Sequence, residues 1–350
     1  MRVARVWTLA VVALTGTVLA EDAASTRGKI AFVADGKITV MDADGANVTN
    51  LTGEERSGFS PAWSLDGTRI AFASGSMPSD IWVMSADGSG AVNLTAIKGF
   101  KNSASQPAWS PDGKKIAYVL GEMLQKDIWV MGADGANPKN LTDDKLNDTS
   151  PSWSPDGSTI AYVSQEPVDL GGGGRGLSQE DIRSVKADGS GKRRLTETES
   201  KEVDPVWSPD GKRFLFTAQL VKEKKGNTTI LDSEEIWIAG ADGSGALNIS
   251  KNAVGQDYWP SWSPDGKKIA FAARKEGAPS SLYVMAPDGS DLKALVEPKW
   301  GPDYSWVRWS PDGSRILALD GRDQIVVLAA DGSGLTNLQK GQSPCWSPVK

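Results

Sequence analysis

The chain has 350 residues, a formal net charge of −6 and no histidine. Without histidine it cannot build a Ser-His-Asp or Cys-His catalytic unit, a His-ligated zinc site or a histidine general base. An acidic chain without a basic run is also unsuited to nucleic acid, whose affinity comes largely from Lys and Arg on phosphates.

The first twenty residues, MRVARVWTLAVVALTGTVLA, carry Arg2 and Arg5, then an apolar run, then Val18-Leu19-Ala20 before Glu21. This is the layout of a secretory signal peptide, with cleavage expected after Ala20. The apolar run is shorter than the ~20 residues a spanning helix needs, so no membrane span is expected after cleavage. Removal of residues 1–20 leaves 36 basic against 44 acidic residues, a mature charge of −8. Residues 21–27 read as a short linker. Cys345 is the single cysteine, so no internal disulfide can form, and a core of this size does not need one.

From Gly28 onward the chain repeats itself. Trp-Ser recurs at Trp63, Trp109, Trp153, Trp207, Trp262, Trp309 and Trp346, and Asp-Gly follows the first six. A second motif alternates with it, with aspartates at Asp44, Asp87, Asp134, Asp188, Asp242, Asp288 and Asp331, spaced 43, 47, 54, 54, 46 and 43 residues apart. A period of roughly 40–50 residues is that of propeller blades or another repeat array.

The third unit carries four strand signals. Pro107-Ala108-Trp109-Ser110 is short and extended, and Ser110-Pro111-Asp112-Gly113 has turn chemistry: Pro presets φ and Gly accepts a positive φ. Lys114 to Val119 and Asp127 to Met131 are rich in β formers. Ala133 to Asn137 is a second turn, and Lys139 to Thr142 closes the unit. Four short strands joined by tight turns, repeated radially, make a propeller. The first unit, Gly28 to Thr52, lacks a Trp-Ser strand in front. The last element, Pro344 to Pro348, is a Trp-Ser strand with nothing after it. The expected fold is therefore all-β: a seven-bladed β-propeller of four-stranded antiparallel blades, closed by the C-terminal strand joining the N-terminal blade and leaving few exposed edges.

Seven of the 14 tryptophans occupy the repeat position, and Trp82, Trp129 and Trp237 share a second one in the third strand. These rings are expected to pack between neighbouring blades. The residue before the repeat Trp is small in six of seven units; Arg308 is the exception and is expected to reach into the central channel.

Units of the form P-x-W-S-P-D-G-x-x-I-A-[FY], then I-W-V-M-x-A-D-G, then N-L-T resemble the TolB-like propeller repeats, which are related to WD repeats. Pro107 to Thr142 fits almost throughout, and the resemblance covers residues 28–350. It implies an exported β-propeller that binds other proteins, in the Tol-Pal system a periplasmic partner of an outer-membrane lipoprotein. Two departures from TolB itself are expected: no preceding α/β domain is expected ahead of the repeats, and seven blades are counted instead of six. Similar repeats occur in relatives of prolyl oligopeptidase, whose hydrolase domain is not expected here, and in oligogalacturonate lyases, whose metal site is similar to a cluster of His ligands that this chain lacks.

With the Trp-Ser strand innermost, the SPDG and ADG turns share one face. The variable loops share the other, where function concentrates. Two of these, Ser164 to Glu180 with its four glycines and Ala218 to Glu234, read as long solvated loops or flaps. Tyr258 and Trp259 precede one inner strand; Trp300, Tyr304 and Trp306 precede the next. All five lie outside the repeat pattern, and with Arg308 they are the candidate partner-binding residues, since rigid aromatics are favoured at protein interfaces. Acidic loops containing Asp143, Asp144, Asp148, Glu197, Glu199, Glu202 and Asp204 lie on the opposite arc and are read as solvated charge rather than calcium ligands. Asp42 to Asn47 resembles the start of a calcium loop, but Gly53 stands where its closing Glu should be, so it is read as a turn.

The resulting expectation is a monomeric periplasmic or secreted interaction module without catalytic residues, metal or cofactor. Its partner would be a protein or peptide in the cell envelope. A carbohydrate-binding or sensing propeller is the alternative, and a His-free carboxylate-based glycosidase or lyase is third.

Overall fold

The computed structural model describes residues 28–348 apart from 99–100, 172–173, 198–199, 226–227, 252–254 and 297–302. The expected signal peptide, the linker, Glu199 and Trp300 lie outside the described residues. Among the described residues, the strands form seven four-stranded sheets. Blade 3 is representative: Ser103–Trp109, Lys115–Glu122, Gln125–Gly132 and Lys139–Asn140 pair in that order. The inner strands of blades 2 to 7 are Phe59–Trp63, Ser103–Trp109, Asn147–Trp153, Lys201–Trp207, Gln256–Trp262 and Tyr304–Trp309. Blade 1 takes its inner strand, Gln342–Trp346, from the far end of the chain, paired antiparallel to Lys29–Ala34. The seven inner strands touch one another in an unbroken cycle, so the ring is closed.

The repeat Trp explains the seams between blades. Trp153 is 9% exposed and packs with Ile160, Tyr162 and Val185 of its own blade and with Val119 and Val130 of the preceding one. Its indole N–H donates 3.0 Å to the Ala108 carbonyl, across the seam. Trp109, Trp207, Trp262 and Trp346 donate in the same way to Ala62, Ser152, Val206 and Arg308. Each of these five indoles thus packs an apolar ring at the seam and satisfies its one polar atom on the neighbouring backbone, a bond that Trp63 and Trp309 do not make. Arg69, Arg213 and Arg315 lie over the indoles of the following blades at 4.5, 5.3 and 5.2 Å, adding cation–π attraction.

The SPDG stretch is a corner. In blade 3 the Ser110 hydroxyl donates 2.7 Å to Asp112, the Lys114 N–H donates 3.0 Å to the same carboxylate oxygen, and Gly113 takes φ +67°. The closing N-L-T segment locks the other end: Asn140 accepts the Thr142 and Asp143 N–H groups, and the Thr142 hydroxyl accepts the Ile128 N–H. The stretch at Asp42 is a turn, as expected, closed by Gly45 N–H to the Asp42 carbonyl at 2.8 Å.

The two long variable segments are not loops. They extend the second and third strands of blades 4 and 5 into hairpins, Thr159–Gly171 with Gly174–Lys186 and Arg213–Lys225 with Thr228–Gly240. The glycine run and the charged stretch suggested solvated chain. Runs such as Thr228-Thr229-Ile230-Leu231 nevertheless carry the β-branched residues a strand favours.

Candidate functional site

Each inner strand is bulged at the same register. In blade 3, Ser105 pairs with Val119 and Ala108 with Ala117, so two residues oppose one. The first residue of each bulge takes a positive φ: Ser60, Gln106, Ser150, Asp204, Trp259, Trp306 and Ser343, all between +49° and +59°. All seven line a central chamber of about 750 Å³. A second chamber of about 620 Å³ adjoins it toward the short-turn face, sharing Pro61, Pro151, Ser152, Cys345 and Trp346.

Five bulge positions hold Ser, Gln or Asp. Blades 6 and 7 hold tryptophan, a bulky residue for which a left-handed backbone is unfavourable. Such strain, of order 1–3 kcal/mol, concentrates where function requires it. The two rings meet at the channel wall, with centroids 5.2 Å apart and planes at 44°. Trp306 donates its indole N–H 2.9 Å to the Pro344 carbonyl, which fixes its orientation.

Arg308, one residue before the repeat Trp, lies in the channel as expected. Its guanidinium sits 5.3 Å from the Trp306 ring and donates 2.8 Å to the Val307 carbonyl. Burial lowers its proton affinity, while the charge of Asp204 works the other way. Asp204, on the facing bulge, is raised by burial and pulled back by Arg308. Cys345 also lines the channel, but burial pushes its thiol up to about 12, so it is not a reactive thiolate.

A side pocket of about 360 Å³ opens beside this mouth, between blades 5, 6 and 7. Asp204 and Trp259 belong to both spaces. Tyr258 and Tyr304 line the pocket with Arg274, Asp303 and Glu234. Arg274 pairs with Asp303 at 2.8 Å. Glu234, at the base of the blade 5 hairpin, accepts 2.7 Å from Gln219 and is raised by burial. The wall therefore combines aromatic surface, one ion pair and two carboxyls that burial drives toward protonation.

The predicted aromatics thus gather, with two corrections. Tyr258, Trp259, Tyr304 and Trp306 lie within the inner strands, not ahead of them. Although outside the repeat pattern, Tyr304 is 8% exposed and belongs to the blade 6–7 core, against which Tyr258 and Trp259 also pack. Asp204, read as part of an acidic arc, faces Arg308 instead. Arg274, Asp303 and Glu234 were not singled out. Arg274 ends the second strand of blade 6, Glu234 lies in the third strand of blade 5 and Asp303 precedes the inner strand of blade 7, so the repeat pattern does not announce their convergence.

The fold and site define an all-β propeller whose closed ring surrounds an aromatic-lined channel. A model described as the TolB beta propeller domain matches residues 19–224, and the chain belongs to that family. It is 28% identical over 148 residues to the uncharacterized peptidase YuxL of Bacillus subtilis, covering 42% of this chain and 20% of that protein. It is 32% identical over 135 residues to the Tol-Pal system protein TolB of Anaeromyxobacter dehalogenans, covering 36% of this chain and 28% of that protein. A puromycin-hydrolyzing peptidase of Mycobacterium tuberculosis shares the fold at TM-score 0.67 and 16% identity, over 92% of this chain and 55% of that one. The chain spans less than a third of the two curated relatives, whose activities belong to whole proteins.

These relatives overturn one expectation. The absence of histidine does not make the chain a non-enzyme, because peptidases are among the proteins that share this propeller. It removes particular catalytic units and leaves enzymatic function in the family open. Among the described residues, no helix is long and apolar enough to cross a membrane.

Proposed function

We propose that this exported propeller binds an extended peptide or protein segment of a cell-envelope partner on its variable-loop face. The ligand anchors against Trp259 and Trp306 at the channel mouth. The observation that carries this reading is the occupancy of the bulge position. Blades 1, 2 and 4 put serine there, whereas blades 6 and 7 put tryptophan in an unfavourable backbone conformation. Arg308 and the Arg274–Asp303 pair supply polar partners around that apolar anchor. Membership of the TolB propeller family supports an interaction role, and the N-terminal layout supports export.

The repeat itself supplies the test. Trp259→Ser and Trp306→Ser install the residue that blades 1, 2 and 4 already carry, so the double variant should fold. A displayed library of extended peptides is selected on the wild type, and affinities are read by tryptophan fluorescence. Selected peptides should weaken by about 30-fold or more in the double variant, the loss of a hot spot of ~2 kcal/mol. Equal binding to both proteins, or binding confined to a glycan array, would overturn the reading.

A further inference from the structure

We propose that the seam between blades 3 and 4 holds a divalent cation of the calcium type, ligated by Asp127, Asp144 and Asp148. Asp127 is the third residue of the third strand of blade 3, Asp148 lies in the inner strand of blade 4, and Asp144 sits on the segment between the blades. One carboxylate oxygen from each lies within 4.8 Å of the other two. That spacing suits a single ion, since calcium sits about 2.4 Å from its oxygen ligands.

The cluster alone would be ordinary surface charge. Asp148 makes it a site. Its side chain is 0% exposed, and neither carboxylate oxygen has a hydrogen-bond partner. The Ser164 and Thr142 hydroxyls are near enough to temper the effect of burial, but burial outweighs them. A buried carboxylate with no donor is costly, and it is normally found paired or on a metal. Asp127 is already oriented, accepting 2.9 Å from Asn140 and 3.2 Å from the Thr142 hydroxyl. Lys192 stands at the margin, its ammonium 3.9 Å from Asp144 and donating to the Thr142 carbonyl, away from the buried Asp148.

The neighbouring seams place acids at the same two register positions and resolve them otherwise. Between blades 4 and 5, Asp181 pairs with Arg194 at 2.7 Å, and Glu202 accepts the Thr196 and Ser200 hydroxyls at 3.1 Å. Between blades 5 and 6, the charge of Glu235 acts on Asp257, and no third carboxylate joins them in a metal-sized cluster among the described residues. Among those residues, only the blade 3–4 seam gathers three carboxylates around an undonated, fully buried one. Calcium takes six to eight oxygens; the three carboxylates supply the charge, and water can complete the shell. An affinity in the range of extracellular modules, on the order of 10⁻⁴–10⁻³ M, follows from so few protein ligands.

The test uses the full chain, stripped with EDTA and titrated with CaCl₂ by calorimetry, alongside thermal melts. Saturating calcium should raise the Tm by a few degrees. Asp148→Asn, a neutral isostere, should melt cooperatively without added metal and lose both the heat and the shift. Asp257→Asn at the sister seam should keep both. Absence of calcium binding in the wild type, or a shift that survives Asp148→Asn, overturns the proposal. A shift lost equally in Asp257→Asn does so as well, because it would report general stability rather than this site.

Discussion

On the short-turn face, Asp66, Asp112, Asp156, Asp210 and Asp265 each accept the hydroxyl of a serine two residues back, at 2.6–2.7 Å. These bonds, with a backbone N–H to each, hold the carboxyls below their ordinary range; Asp66 is lowered to about 2. Toward the variable-loop face the direction reverses. Burial pushes Asp148 to about 6 and Asp257 to about 7, and it raises Asp181, Asp204 and Glu234. The same side chain serves as solvated, donor-rich turn chemistry at one end of each blade and as desolvated charge at the other. Perturbed groups concentrate at functional sites, so the asymmetry supports the binding proposed on the variable-loop face.

The largest way to break this contrast is to add a buried acid where the repeat has none. Ala104 is the blade 3 residue at the register of Asp148, Glu202 and Asp257, and it is 0% exposed. Ala104→Asp should cost several kcal/mol at pH 8, because the charged form is desolvated without a prepared partner. Its folded proton affinity would be raised, so the penalty should shrink as the pH falls to about 5. Ala104→Asn carries the steric change without the charge. If both variants lose the same stability at both pH values, desolvation is not what distinguishes this face.

Much of the scaffold is legible in the sequence because its signals are local. Ser-Pro-Asp-Gly encodes a turn within four residues, and the unmatched Trp-Ser at Trp346 encodes ring closure by counting. The working face was less legible. A residue before proline is biased toward extended backbone, so nothing in Gln106-Pro107 or Trp259-Pro260 announced a left-handed bulge aimed into the channel. The blade 3–4 seam joins Asp127 to Asp148 across two sheets and many intervening residues, and no short window holds both as neighbours. The sequence shows Asp144 and Asp148 only as charge, because their burial depends on how the blades pack. The long hairpins of blades 4 and 5 do not show in the sequence because their composition is that of solvated chain, while their pairing is set by strands that start inside the blade.

A middle-sized effect is expected at Asp257. Its carboxyl is 0% exposed and neither oxygen has a hydrogen-bond donor. Burial is the main cause of its raised value, the Ser250 hydroxyl works weakly against it, and the Glu235 charge adds to it. The folded value, about 7, lies above the ordinary one, so its stabilising contribution is complete below pH ~4 and is lost as the pH rises through 7. Asp257→Asn mimics the protonated acid at every pH. It should come closest to the wild type at pH 4 and exceed it by a few degrees in Tm at pH 8, since every tenfold rise in a carboxyl's proton affinity on folding disfavours its charged form by about 1.4 kcal/mol. A variant that melts below the wild type at pH 8 would mean that the fold stabilises the carboxylate there.

The smallest effect tests the opposite sign. Asp66 accepts the Ser64 hydroxyl, the Thr68 N–H and the Thr68 hydroxyl at 2.7, 3.0 and 2.7 Å, and its carboxyl is depressed to about 2. A depressed carboxyl contributes stability above its unfolded value that is lost as the pH falls through the folded one. Asp66→Asn removes the charge from those three donors, so its Tm should fall at pH 7, by no more than about a degree at this exposed corner. The difference should close as the pH approaches 2, where the wild-type carboxyl protonates. Paired melts of Asp66→Asn and Asp257→Asn from acid to pH 8 should therefore diverge in opposite directions, one losing and the other gaining as the solution becomes basic. Parallel curves would show that both faces handle their aspartates alike, and the electrostatic asymmetry would not mark the working face.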